Sequence, residues 1–389
     1  MQQCRSGVAL PADGERRRPL SLSCLLSVTA AVALAVIAFL ALPPAAQAGA
    51  PPVTFCQVTG LSACAGPITS SSQNISGAGQ QRIEEHLQQL RCKDSNDPNC
   101  NAVGAAAADS VSYAGLSFFV SGDYEHKDRT ATGAELGFDS NAFGPTIGVD
   151  YRLAPNAVIG GAFDYDHTIG DFDANYGDFD TDTFTWIFFG SYSPSDQSFI
   201  DASVGFGAKQ YDTRHDDPGT GANNTVKGDT SGFEFSADLT GGYDFSFGAF
   251  TVGPRAGLHY KRSELNGFTE TGTGALFTYS DQVDDSLTGT IGFQASYAIS
   301  TDFGVVVPQV NGEYVREFLT DHNTYTAASA AGAPFNFVTD DPDLNHFNVG
   351  AGVVFVLPDG ISPFLNFQAE LANRLEETQT VTAGVRVEM

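Results

Sequence analysis

Residues 198–211, SFIDASVGFGAKQY, put Ile200, Ala202, Val204, Phe206 and Ala208 on one side of an extended chain, and Asp201, Ser203, Gly205, Gly207 and Lys209 on the other. Successive side chains of a strand point to opposite faces, so this is a strand with one apolar and one polar side. The pattern recurs. In residues 232–245 the apolar side carries Phe233, Phe235, Ala237, Leu239 and Tyr243 against Glu234, Ser236, Asp238 and Thr240. In residues 250–261 it carries Phe250, Val252, Pro254, Ala256, Leu258 and Tyr260 against Thr251, Gly253, Arg255, Gly257, His259 and Lys261. About 280 residues at the C-terminal end follow this rhythm. A bilayer reverses the usual sheet, with apolar side chains turned to lipid and polar ones to a lumen. A charge on the lipid side near the midplane costs about 2–4 kcal/mol. These segments keep their charges on one side. The fold expected is all-β: a transmembrane antiparallel β-barrel of the bacterial outer membrane.

Twelve strands can be counted from about residue 115 to the end, each long enough to cross a bilayer at barrel tilt. Short connections carry turn residues, as in Ala154-Pro155-Asn156, Phe247-Gly248-Ala249 and Pro358-Asp359-Gly360. They alternate with long ones near 127–142, 169–180, 213–229, 264–284 and 319–344. Short periplasmic turns and long outer loops are the barrel rule, so both barrel ends are expected in the periplasm.

The N-terminal part divides in two. Residues 1–48 read as an export signal: Arg16, Arg17 and Arg18, an apolar run from Leu25 to Leu42, then a small-residue site ending at Ala48. An uncleaved helical anchor is the alternative. Residues 49–112 form a short polar segment before the barrel, which takes residues 113–389. In it, Ile83, Leu87 and Leu90 at i, i+4 and i+7 predict an amphipathic helix over 79–91, and residues 102–108 are a second, alanine-rich candidate. The helix reads either as part of a small module or as a plug inside the barrel. The segment also holds Cys56, Cys64, Cys92 and Cys100, whereas the barrel holds no cysteine. In an oxidising periplasm four cysteines imply two disulfides. Cys56–Cys64 with Cys92–Cys100 and Cys56–Cys100 with Cys64–Cys92 both remain open, and the seven-residue gaps are wide for a zinc site.

The formal charge of −27 becomes −29 without the signal, which takes four basic and two acidic residues with it. Such a surface excludes nucleic acid as a partner. The expected partners are outer-membrane lipid and lipopolysaccharide, with a monomeric chain. No G-x-S-x-G or H-E-x-x-H occurs, the histidines are scattered, and no enzymatic activity, cofactor or metal is expected. The acidic run 171–182 alternates oxygen ligands as calcium sites do, but Tyr176 stands where the turn glycine belongs, so a solvated acidic loop is the expectation. The inward polar set is the candidate site: Asp201, Lys209, Glu234, Asp238, Arg255, His259, Lys261, Gln309, Glu313, Gln368 and Glu370. These residues either pair across the lumen and hold a helix or water, or tune ion passage.

A series of phrases resembles the translocator barrel of autotransporters, the type V secretion family. They are Val149-Asp150-Tyr151-Arg152-Leu153, Gly241-Gly242-Tyr243-Asp244-Phe245, Asp281-Gln282-Val283-Asp284-Asp285-Ser286-Leu287, Val307-Pro308-Gln309 with Glu313-Tyr314, and Phe347-Asn348-Val349-Gly350-Ala351-Gly352. No phrase is specific alone; their order and spacing carry the likeness. The resemblance implies a twelve-stranded barrel with a helix through the pore, joined to a secreted passenger. It also implies barrel-insertion machinery and periplasmic chaperones as partners. The family's last strand ends in an aromatic insertion signal; here Gly384 is kept, while Val387 and Met389 stand at the aromatic positions. About 60 residues precede the barrel, too few for a large β-helical passenger. The function expected is translocation or display of the chain's own short N-terminal segment. The alternatives are a porin-like or plugged channel and surface adhesion through acidic loops.

Overall fold

The computed structural model describes residues 83, 84, 86, 87, 115–173, 176–216, 225–273, 276–329 and 334–389. The expected signal, the four cysteines, the helix candidate 102–108 and most of 79–91 lie outside them.

Twelve strands follow one another: β1 Leu116–Arg129, β2 Phe138–Ala154, β3 Ala157–Phe172, β4 Gly177–Ser195, β5 Ser198–Asp216 and β6 Thr225–Tyr243 form one half. The other half is β7 Phe250–Leu265, β8 Gln282–Tyr297, β9 Gly304–Glu317, β10 Asn345–Val356, β11 Ile361–Leu371 and β12 Glu376–Glu388. Each pairs antiparallel with its sequence neighbours, and β12 pairs back onto β1 from Ser117↔Glu388 to Arg129↔Glu376. Closure leaves no edge, which a membrane sheet requires because lipid offers no hydrogen bonds to an unpaired strand.

The burial pattern settles which side faces lipid. Ile147, Trp186 and Ile291 are 60%, 58% and 71% exposed, while Asp150, Asp164 and Lys209 are buried. A soluble sheet would show the reverse. The twelve-stranded closed barrel predicted by the alternation is therefore the observed fold.

The short connections are tight. Gly248 turns β6 into β7 at φ +67, and Asp359 and Gly360 turn β10 into β11 at φ 64 and 74. At the other end the strands run further than the composition predicts. Pairing continues to Arg129↔Phe138, Asp171↔Asp178 and Asp216↔Thr225, which turns most of the expected loops into hairpin tips. Residues 171–172 and 177–182 thus belong to paired strands, with the carboxylates of Asp171, Asp178 and Asp180 still in solvent. Phe172 and Phe179 point in, and Asp171, Asp178 and Asp180 point out.

The two longest connections form a second sheet. Phe335–Val338, Thr324–Ser329, Phe277–Tyr279 and Phe268–Thr269 pair in that order. This sheet packs on the tips through Phe138, Phe172, Phe179, Tyr211, Leu265, Phe268, Phe277, Tyr279 and Ala327. Within that core, buried Glu270 accepts from the Phe277 N–H at 2.9 Å and the Tyr279 hydroxyl at 3.0 Å, and lies 3.0 Å from His215 Nε2. The loop end therefore carries its own apolar core.

Candidate functional site: the barrel lumen

Every second side chain of the twelve strands points inward, and four helical residues stand among them: Ile83, Glu84, His86 and Leu87. Ile83 and Leu87, one helical turn apart, pack on Phe119 of β1, Val158 and Ala162 of β3, and Ile187 and Phe189 of β4. Three strands, β1, β3 and β4, bring these five apolar side chains together on one wall. It gives the helix a seat in an otherwise polar lumen.

His86 locks the same side. Its ring stacks on Phe119 at 3.8 Å, and its Nε2 lies 3.0 Å from Asp150 Oδ2. Asp150 of β2 also accepts from Arg386 of β12, at 3.0 Å from Nη2 and 3.3 Å from Nε. Arg386 in turn donates to Ser117 of β1 at 2.7 Å and pairs with Glu388. One buried network thus ties the helix to both sides of the seam where the last strand meets the first. Removing one partner of such a network leaves an uncompensated buried charge, at a cost of about 3–5 kcal/mol.

Glu84 reaches the opposite wall. Thr240 of β6 donates to it at 3.2 Å, and Arg255 and His259 of β7 stand 3.7 and 3.8 Å away. His259 Nδ1 lies 2.9 Å from Asp238 Oδ1, whose other oxygen accepts from Ser203 at 2.9 Å. Arg255 Nε lies 2.8 Å from Glu313 of β9. Gly257 makes room for this cluster, since a Cβ there would lie 2.8 Å from both His259 Nε2 and Thr290 Oγ1. The helix is therefore held by apolar packing on one wall and by charge on the other.

Asp238, Arg255, His259 and Glu313 thus converge on the helix. Lys209, Glu234 and Asp201 lie further round, on β5 and β6. Lys209 is fully buried, 3.2 Å from Glu234 and 3.2 Å from Ser263, and Asp201 is buried in the same wall. Gln309 and Gln368 line a cavity of about 280 Å³ beside the helix, together with Lys261, Asn348 and Thr288. Glu370 stands apart, 3.6 Å from His346 and accepting from Asn373 at 2.5 Å. At the C-terminus, Gly384 faces Phe364 and Ser121 inside the barrel, and a Cβ there would lie 2.5 Å from the Phe364 ring. Val387 pairs with Phe118 and Ile361, and the Met389 N–H donates to Leu116 at 3.2 Å.

Asp150, Arg386, Ser203, Thr240 and Thr290 take part without having been singled out from sequence. Their inward parity was visible. What joins them is strand register and, for Arg386 with Asp150, closure of the barrel. Outside the lumen, His167, Asp180 and Asp182 offer ligand atoms within 4.8 Å of one another on the outer surface of β3 and β4. Tyr165 already donates to Asp182 at 2.6 Å.

With this geometry in place, comparison with known proteins gives a consistent result. Residues 118–368 match the family model of the autotransporter beta-domain. The translocator domain of autotransporter NalP from Neisseria meningitidis superposes with TM-score 0.61 at 13% identity, covering 84% of this chain and all of that one. The beta domain of the Bordetella autotransporter Brka gives 0.54 at 16% identity, covering 71% of this chain and all of that one. No curated protein matches this sequence. At these identities the two structures speak for the fold.

Proposed function

This chain belongs to the autotransporter β-domain family, and we propose that it is an outer-membrane translocator barrel whose cargo is its own short N-terminal segment. The observation that supports this is the seating of Ile83, Glu84, His86 and Leu87 inside the barrel. These residues precede β1 in the chain, so the polypeptide entering β1 has a stretch held within the lumen. In this reading the short turns and both barrel ends face the periplasm. The long connections and their small sheet face outward. The segment upstream of the helix is the displayed portion.

A second reading has its own support. The polar cavity of about 280 Å³ beside the helix is space for water, and a plugged channel would use it for small ions.

An epitope tag placed after Gly49, probed with antibody on intact cells, separates the two. Labelling without permeabilisation is the result expected of display. Labelling only after the outer membrane is opened would leave the segment in the periplasm and overturn the secretion reading.

A further inference from the structure

Four of the six loop-side hairpins repeat one arrangement on the outer surface of the barrel. On the outgoing strand a tyrosine is followed two residues later by histidine or arginine: Tyr124 and His126, Tyr165 and His167, Tyr260 and Arg262, Tyr314 and Arg316. Directly opposite the basic residue on the returning strand stands Asn141, Asp182, Asp285 or Asn345. Its side-chain oxygen accepts twice. The phenol donates at 2.5 Å from Tyr124, 2.6 Å from Tyr165 and 2.6 Å from Tyr260, and Tyr314 makes the same bond. The basic group donates at 3.2 Å from His126, 3.0 Å from His167, 3.3 Å from Arg262 and 2.8 Å from Arg316.

The tier below is as regular. Directly across from the four tyrosines stand Phe143, Phe184, Leu287 and Phe347. An aromatic and apolar tier thus gives way within two residues to a tier of fixed basic side chains. Amphipathic rings sit at the level of lipid headgroups, so this step marks the top of the hydrocarbon.

The cations are also one-sided. Among the described strands, the outward-facing lysines and arginines are Arg214, Lys227, Arg262 and Arg316, and all four lie at the loop end. Arg214 is compensated by Asp178 and Arg262 by Asp285 and Glu264, and the His167 ring lies beside Asp180 and Asp182. Arg316 is held by the neutral amide of Asn345, and among the described residues no carboxylate pairs with its guanidinium. A guanidinium fork matches phosphate oxygens two at a time.

We propose that these clamps form a headgroup belt, and that Arg316, positioned by Tyr314 and Asn345, binds the phosphate of an anionic lipid in the leaflet at the loop end. The short-turn rim of the described strands has no outward lysine or arginine, so the preference belongs to one leaflet.

Electron spin resonance of the full-length protein refolded into phosphatidylcholine vesicles tests this, with spin-labelled phosphatidylglycerol compared against spin-labelled phosphatidylcholine. The motionally restricted population should favour the anionic label by about twofold or more. Arg316→Gln should bring the ratio close to one, with Asn345→Leu between the two, while heat-shifted gel migration shows each variant folded. A ratio of one in the parent protein, or an unchanged ratio in Arg316→Gln, would overturn the proposal. So would a preference that a chelator abolishes and Arg316→Gln does not, since cations bridged by Asp180 and Asp182 would then hold the lipid. Failure to insert at all would instead sink the membrane-barrel reading on which this rests.

Discussion

Single buried charges carry much of the information in this lumen, and Arg386 carries the most. It compensates Asp150, which touches the helix through His86. Arg386→Met should cost about 3–5 kcal/mol, because it leaves the carboxylate buried beside one imidazole. Adding Asp150→Asn should restore most of that loss. Urea midpoints of the barrel refolded in vesicles measure both, and equal losses for the single and double variants would exclude the pairing argument. At the loop end Asp343 behaves differently. Burial opposes its ionisation, but the Arg374 backbone N–H at 2.6 Å and the guanidinium outweigh it, so its carboxyl titrates below the usual range. A depressed carboxyl pKa stabilises the fold above the ordinary value near 4 and stops doing so as pH falls through the lowered one. Its partner guanidinium is 77% exposed, so solvent screens the pair to under about 1 kcal/mol. Protease cleavage within 318–344 should therefore rise at acid pH in the parent protein. Asp343→Asn should show the faster cleavage already at neutral pH and lose that pH dependence.

At the scale of elements, what was legible and what was not divide at the bilayer boundary. Within the membrane the outward face is apolar, so β5 could be read from Ile200, Val204 and Phe206 alone. Above it the pattern inverts. Phe172, Phe179, Tyr211 and Leu265 point inward, while Asp171, Asp178, Asp212 and Glu264 point outward. The rule that identifies a lipid-facing strand fails where water replaces lipid, so the acidic tips resembled loops. The inward polar set was visible from parity, and Asp238 opposite His259 follows from the β6–β7 register. The Arg386–Asp150 pair was not, because closure brings together strands far apart in sequence, nor was the apolar seat of the helix, which β1, β3 and β4 build only once the sheet curves. The helix itself was foreshadowed by Ile83 and Leu87, but nothing local said what they would touch. Ile83→Ala with Leu87→Ala empties that seat on Phe119, Val158 and Ile187. Buried truncations of this kind cost about 2–5 kcal/mol each. The barrel ladder should survive, with an unchanged heat-shifted gel migration, while hydrogen exchange of residues 83–87 accelerates. Simultaneous loss of barrel migration would mean that the helix stabilises the barrel as a whole.

For the molecule as a whole, occupancy of the lumen decides whether a closed cylinder behaves as a pore. Twelve strands enclose more volume than their own side chains fill; here the helix takes up part of it and the cavity of about 280 Å³ remains. The lumen wall also carries more acid than base. Asp123, Glu125, Asp150, Asp164, Asp166, Asp201, Glu234 and Glu317 are buried there, against Lys127, Arg129, Lys209, Arg255 and Arg386. Fixed acid of this kind favours cations in a narrow wet path. In planar bilayers the parent protein should therefore conduct weakly. Ile83→Ala with Leu87→Ala should raise its open conductance severalfold, as the helix leaves its seat. Under a potassium chloride gradient the reversal potential of that variant should have the sign of potassium selectivity, and Asp201→Asn with Glu234→Gln should weaken it. Parent and helix-loosened proteins of equal conductance would show that the four helical residues do not obstruct the path. A chloride-selective variant would show that ions bypass the acidic wall.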